Sequence, residues 1–123
     1  MKRIMVVDDD EDFTNLYKAA LMAAGFDTTA VNQSTAVIEM AYLVKPDVFL
    51  IDLMMPEVDG FQLCRMIRAD PVIGHIPIII VTALTDIDSR MVALGAGAND
   101  YLTKPFHIDT LKARINPLLE MSG

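Results

Sequence analysis

Four short runs constrain this chain more than any other feature, because each ends in a polar residue. Val48-Phe49-Leu50-Ile51 ends in Asp52, and Ile4-Met5-Val6-Val7 ends in Asp8-Asp9-Asp10. Ile78-Ile79-Ile80-Val81 ends in Thr82, and Asp100-Tyr101-Leu102-Thr103 ends in Lys104-Pro105. Brief apolar runs without polar alternation read as strands buried on both faces, as in a parallel sheet. A charge inside such a strand is expensive, so Asp52 belongs at the strand's end, at the rim of the sheet. Open α/β sheets bind their ligands outside the carboxyl ends of the strands. Acids, a hydroxyl and an amine are thus delivered to one edge.

Helical patterns alternate with these strands. The spacing predicts a helix over residues 13–24, capped by Asp12, with Phe13, Leu16, Tyr17, Ala20 and Leu21 facing inward and Gly25 as its stop. Residues 27–31 form a short, partly polar strand that suits a sheet edge. Ser34 is expected to cap a helix reaching residue 43, with Val37, Ile38 and Ala41 inward, and Lys45-Pro46 to end it. A third helix begins near Asp59 and carries Phe61, Leu63, Cys64 and Ile67. The fourth, over residues 87–94, has a thin apolar face and glycines after it, and is expected to be the least stable. The last spans residues 108–120, with Pro117 loosening its final turns. Five alternations of strand and helix give an α/β fold: a doubly wound, five-stranded parallel sheet of order 2-1-3-4-5, flavodoxin-like (βα)5. Residues 1–121 read as one domain and 122–123 as a tail. In that order the first and third strands are neighbours, so Asp8, Asp9 and Asp52 converge, with Thr82 beside them and Lys104 just beyond.

Composition narrows the function. Net charge is −7, from 17 acidic and 10 basic residues, which argues against direct nucleic-acid binding and favours proteins or a cation as partners. No apolar run approaches the roughly 20 residues of a membrane span. The chain enters a strand pattern at Arg3 with no signal-peptide pattern before it, so a cytoplasmic location is expected. The single cysteine, Cys64, allows no internal disulfide and reads as a small core residue, and Met5, Met22, Met40 and Met66 read as core filler. His75 and His107 lack the company of other metal-ligating residues, and Asp10 reads as a surface charge.

Three carboxylates within about 5 Å repel one another, each pair by on the order of 3 kcal/mol at an effective dielectric near 20. Lys104 alone cannot neutralise them. A divalent cation can, and oxygen-only ligands suit Mg2+. A metal, an amine and a hydroxyl together can stabilise a transferring phosphoryl group, and a carboxylate can be the nucleophile that receives it.

With Val6-Val7-Asp8-Asp9, residues 47–52 followed by Leu53-Met54-Met55-Pro56 and Asp59-Gly60, residues 78–83, and the segment from Gly97 to Phe106, the whole chain resembles the receiver domain of two-component response regulators. The resemblance implies a cytoplasmic switch that catalyses phosphoryl transfer to its own Asp52 without being a turnover enzyme. Its donor would be a sensor histidine kinase or a histidine phosphotransfer protein. Asp8, Asp9, Asp52 and the backbone carbonyl of Met54 would hold Mg2+, Asp9 directly and Asp8 through water. Lys104 would pair with the phosphoryl oxygens, Thr82 would hydrogen-bond one of them, and the Lys104–Pro105 bond would be cis. Tyr101 would turn inward on phosphorylation and alter the face made by the fourth helix, fifth strand and fifth helix. Arg90, Asp100 and Arg114 could pair there across a phosphorylation-dependent homodimer. Met54 and Leu84 would flank the approach of a hydrolytic water, and neither orients one, which implies slow self-dephosphorylation.

The pattern from Gly97 to Phe106, with Leu111-Lys112-Ala113-Arg114-Ile115, resembles receivers of transcription factors with winged-helix output. Both a stand-alone regulator acting on a downstream partner and a receiver joined to an output domain are consistent with the sequence. A flavodoxin would carry Ser, Thr and Gly in its first loop, where this chain is acidic. A phosphatase of the haloacid dehalogenase type would carry an acid two residues after its nucleophile, where this chain has Met54. The alternative of a different class is a receiver-fold interaction module that is never phosphorylated.

Overall fold

A computed structural model describes residues 1–84 and 86–122, with side chains through residue 120. Five parallel strands, β1 (Arg3–Val7), β2 (Asp27–Val31), β3 (Val48–Ile51), β4 (Ile78–Thr82) and β5 (Asp100–Thr103), form one sheet of order β2-β1-β3-β4-β5. Helices α1 (Glu11–Ala23), α2 (Val37–Val44), α3 (Gly60–Ala69), α4 (Ile87–Gly95) and α5 (Ile108–Ser122) alternate with them. This is the flavodoxin-like architecture expected from the alternation.

The pleat divides the strand residues between two cores. Met5, Val7, Phe49, Ile51, Ile78 and Ile80 pack with residues of α2, α3 and α4. Ile4, Val6, Val48, Leu50, Ile79 and Val81 pack with residues of α1 and α5. Because both faces are covered, β1, β3 and β4 are apolar at nearly every position. The partly polar β2 lies at the edge, as its composition requires.

Several local expectations are corrected. Asp10, not Asp12, caps α1: its side chain accepts the backbone N–H groups of Asp12 and Phe13. Asp12 instead joins Glu11 in the first turn, where acids favour the positive end of the helix dipole. Leu16, expected to face inward, lies in solvent (65% exposed), and Thr14 is buried in its place. Ser34 caps no helix. A 3-10 turn (Ser34–Ala36) precedes α2, and the buried Ser34 hydroxyl donates to the Pro56 carbonyl and accepts from the Val58 N–H, tying the loop after β2 to the loop after β3. Met22 and Met66 are exposed rather than core filler, whereas Met5 is fully buried. The helix α5 continues through Pro117 to Ser122. The apolar face of α4 is as thin as expected, with Ala93 its one buried residue among those described.

Candidate functional site

The site grows out of the sheet register. Val7 pairs with Ile51, so Asp8 and Asp52 leave adjacent strands side by side. The Asp8 N–H donates to Val31 O and the Asp52 N–H to Val7 O, at 3.2 and 3.0 Å, which extends the ladder past the strand ends and fixes both residues. Asn32 holds the same corner, its side-chain amide donating to the Asp8 carbonyl and to the Thr14 hydroxyl. Asp9 follows on the exposed rim, and carboxylate oxygens of Asp8, Asp9 and Asp52 lie within 4.8 Å of one another.

The peptide bond Lys104–Pro105 is cis. The Lys104 ammonium donates to Asp8 Oδ2 at 2.6 Å and lies 3.9 Å from Asp52 Oδ1. Thr82, at the end of β4, is buried. Neither its hydroxyl oxygen nor Asp52 Oδ1 has a hydrogen-bond partner, although both atoms are buried. Burial, and then repulsion by Asp8, push the Asp52 carboxyl above the ordinary carboxylate value, against the opposing pull of Lys104. The Thr82 hydroxyl is near enough to favour the charged form without meeting hydrogen-bond geometry. A buried unpaired polar atom costs roughly 1–3 kcal/mol, and here two share one corner.

A family model, the response regulator receiver domain, matches residues 4–116. This chain belongs to the response regulator receiver family. It is 37% identical over 119 residues to the DNA-binding dual master transcriptional regulator RpaA of Synechocystis sp., covering 97% of this chain and 49% of RpaA. It is 40% identical over 116 residues to the response regulator PleD of Caulobacter vibrioides, covering 94% of this chain and 26% of PleD. The chain therefore spans about half the length of one curated relative and about a quarter of the other. The Francisella response regulator 1452 receiver domain superposes with a TM-score of 0.92 at 32% identity, covering 100% of both chains. Among the described residues, no helix is long and apolar enough to cross a membrane.

Within the receiver, Tyr101 is turned inward: it is 6% exposed and its hydroxyl donates to Leu84 O at 2.6 Å. Asp100 and Arg114 meet within the chain. The guanidinium of Arg114 donates to both carboxylate oxygens of Asp100 within the chain, at 2.8 and 2.9 Å, because β5 and α5 place them side by side. Met54 leaves its side chain in solvent, and it lines an apolar hollow with Leu53, Met55, Phe61 and the half-buried Leu84.

Other residues that shape the site had no role there in the sequence pattern. Asp10 starts the helix beside the acids, and the run of acids at residues 8–12 was the signal for a first turn. Asn32 carried no signal, since it meets Asp8 only through the pairing of β1 with β2. Phe13 lies against Lys104, and its spacing marked it only as an inward residue of α1.

Proposed function

We propose that this receiver is a phosphoryl-accepting switch in which Asp52 is the acceptor. The observation that carries the reading is the pair of buried, unpartnered oxygens on Asp52 and Thr82, with the Lys104 ammonium 3.9 Å from the same Asp52 oxygen. A tetrahedral, oxygen-rich group bound to Asp52 would give the hydroxyl and the ammonium acceptors at one point. In the transfer, an Asp52 carboxylate oxygen attacks phosphorus. The bond from phosphorus to the donor's imidazole nitrogen breaks, and its electron pair leaves on that nitrogen. The donor is a histidine kinase or histidine phosphotransfer protein.

The close carboxylates of Asp8, Asp9 and Asp52, all hard oxygen donors, fit Mg2+ held with the Met54 carbonyl. Bound there, the ion would neutralise charge on the phosphoryl oxygens and on the carboxylates. Asp8 keeps Lys104 at the rim until phosphoryl oxygens compete for it. Thr82 donates its hydroxyl to one of those oxygens.

Phosphorylation adds about −1.5 to −2 charges at Asp52. The signal passes through Thr82 and Tyr101 to the α4–β5–α5 face, where Ile87 and Met91 are exposed. The inward Tyr101, anchored on the loop before α4, is the arrangement phosphorylation favours. Inverting a 1:99 balance of states takes about 5.5 kcal/mol of differential stabilisation. That face acts on a downstream partner, on a second copy of the chain or on an output domain. Residues 1–121 are the signalling unit, and its setting is the cytoplasm.

The test is labelling with acetyl phosphate. Wild type with Mg2+ should take up phosphate that hydroxide releases, chelation should prevent it, and Asp52→Asn should show none. Wild-type labelling in Asp52→Asn would sink the assignment. No labelling of wild type by acetyl phosphate or by a histidine donor would leave the interaction module as the reading.

A further inference from the structure

The Lys104 ammonium sits over the ring of Phe13, 3.8 Å from its centroid. Phe13 is in the first turn of α1, and that turn is built on the acids of the site. Asp8 Oδ1 accepts the Asp10 N–H at 3.0 Å, and Asp10 Oδ1 accepts the Phe13 N–H at 3.3 Å. Lys104 closes the circuit by donating to the other Asp8 oxygen. The ring is fixed from behind as well. Phe13 stacks on Tyr17 at 4.5 Å, and Tyr17 lies 4.7 Å from Phe106. The Tyr17 hydroxyl donates to the backbone carbonyl of Phe106 at 2.9 Å, so α1 grips the turn that carries Lys104.

We infer that Phe13 is a positioning residue for phosphoryl transfer, its ring face holding the Lys104 ammonium within reach of both Asp8 and the phosphoryl group on Asp52. This rests on the role of Lys104 given above. The physical reason lies in the kind of contact. A hydrogen bond is directional and would fix the ammonium on one acceptor. The attraction of a cation to an aromatic face is diffuse, and it survives a sideways shift of the ammonium. The shift needed is short, because Lys104 Nζ is already 2.6 Å from Asp8 and 3.9 Å from Asp52. The ring also covers a side of the ammonium that water would otherwise take, which strengthens its pull on the carboxylates.

The test uses Phe13→Leu, Phe13→Tyr, Lys104→Met and the Phe13→Leu, Lys104→Met double variant, labelled with acetyl phosphate in saturating Mg2+. Phe13→Leu should label about five- to thirtyfold more slowly than wild type. Phe13→Tyr, which keeps the ring face, should restore the rate to within about twofold. In the Lys104→Met background, Phe13→Leu should cost nothing further. NMR should show the Lys104 Hε protons shifted upfield in wild type and Phe13→Tyr and returned to the random-coil position in Phe13→Leu. An equal cost of Phe13→Leu with and without Lys104, or a wild-type rate for Phe13→Leu, overturns the inference. If Phe13→Leu is poorly folded, unshifted Lys104 protons in folded wild type overturn it equally. Labelling of Lys104→Met at the wild-type rate would instead refute the role of Lys104, and is distinguishable because it involves no change at Phe13.

Discussion

The glycine at the start of α3 packs against the backbone just past β3 so closely that adding one methyl group should damage fold and site together. A Cβ at Gly60 would lie 2.4 Å from the Asp52 carbonyl oxygen and 2.7 Å from the Leu53 Cα. Ordinary contact lies near 3.5–4.0 Å, so the overlap is about 1 Å. Neither neighbour can rotate away. Both are backbone, held by the bonds Asp52 N–H to Val7 O and Gly60 N–H to Leu53 O, each at 3.0 Å. Overpacking costs about 1–3 kcal/mol, and backbone on the receiving side puts this case near 3 kcal/mol. Replacing glycine in a helix returns about 0.5–1 kcal/mol through the unfolded chain, leaving a net loss of about 2 kcal/mol. For a chain of this size that lowers Tm by about 8 °C. Gly95, the last residue of α4, is the control of opposite sign, since nothing lies within 4 Å of its added Cβ. Gly95→Ala should raise Tm by about 2–4 °C. Both are measured by thermal and urea unfolding with chelator present. Acetyl phosphate labelling of Gly60→Ala should also slow, because the displaced peptide carries Asp52. A Gly60→Ala protein that melts within about 2 °C of wild type, or a Gly95→Ala protein that falls with it, would refute the packing argument.

Arg68 donates to Gly97 O, Gly74 O, Ile76 O and Asn99 Oδ1, so Arg68→Met should cost about 2–4 kcal/mol in urea unfolding; a loss under about 1 kcal/mol would show these carbonyls find other partners. Because the Asp52 carboxyl is raised in the folded state, native protein holds a proton that unfolded chain has lost between the raised value and the ordinary 3.8, and stability falls as pH rises through that window. Asp52→Asn should therefore be more stable than wild type at pH 7 in chelator, with the gap closing as pH falls; a gap independent of pH would contradict this. Met54 and Leu84 give a hydrolytic water no orienting hydrogen bond, so Met54→Asn, Leu84→Glu should lose its phosphoryl group faster than wild type in the same Mg2+ buffer, with equal decay rates counting against gating by these side chains.

The strands and their order were legible in the sequence because burial on both faces leaves a plain signature, unbroken apolar runs, and because the polar β2 could only be an edge. The acids, Thr82 and Lys104 were legible as a group for the same reason, since a charge next to such a run has to stand at the sheet's rim. Tertiary structure decided what depends on partners distant in the chain. Lys104 donates to Asp8 and rests on Phe13, because the fold brings the turn after β5 against the first turn of α1. Ser34 looked like a cap but ties two loops together, and Asp100 finds Arg114 within its own chain, because hydroxyls and carboxylates take whichever donor or acceptor packing brings near. Apolar periodicity records which side of an element faces inward. It carries no information on which of several polar neighbours is within 3 Å of a given oxygen, and that distance is set only when the helices close on both faces of the sheet.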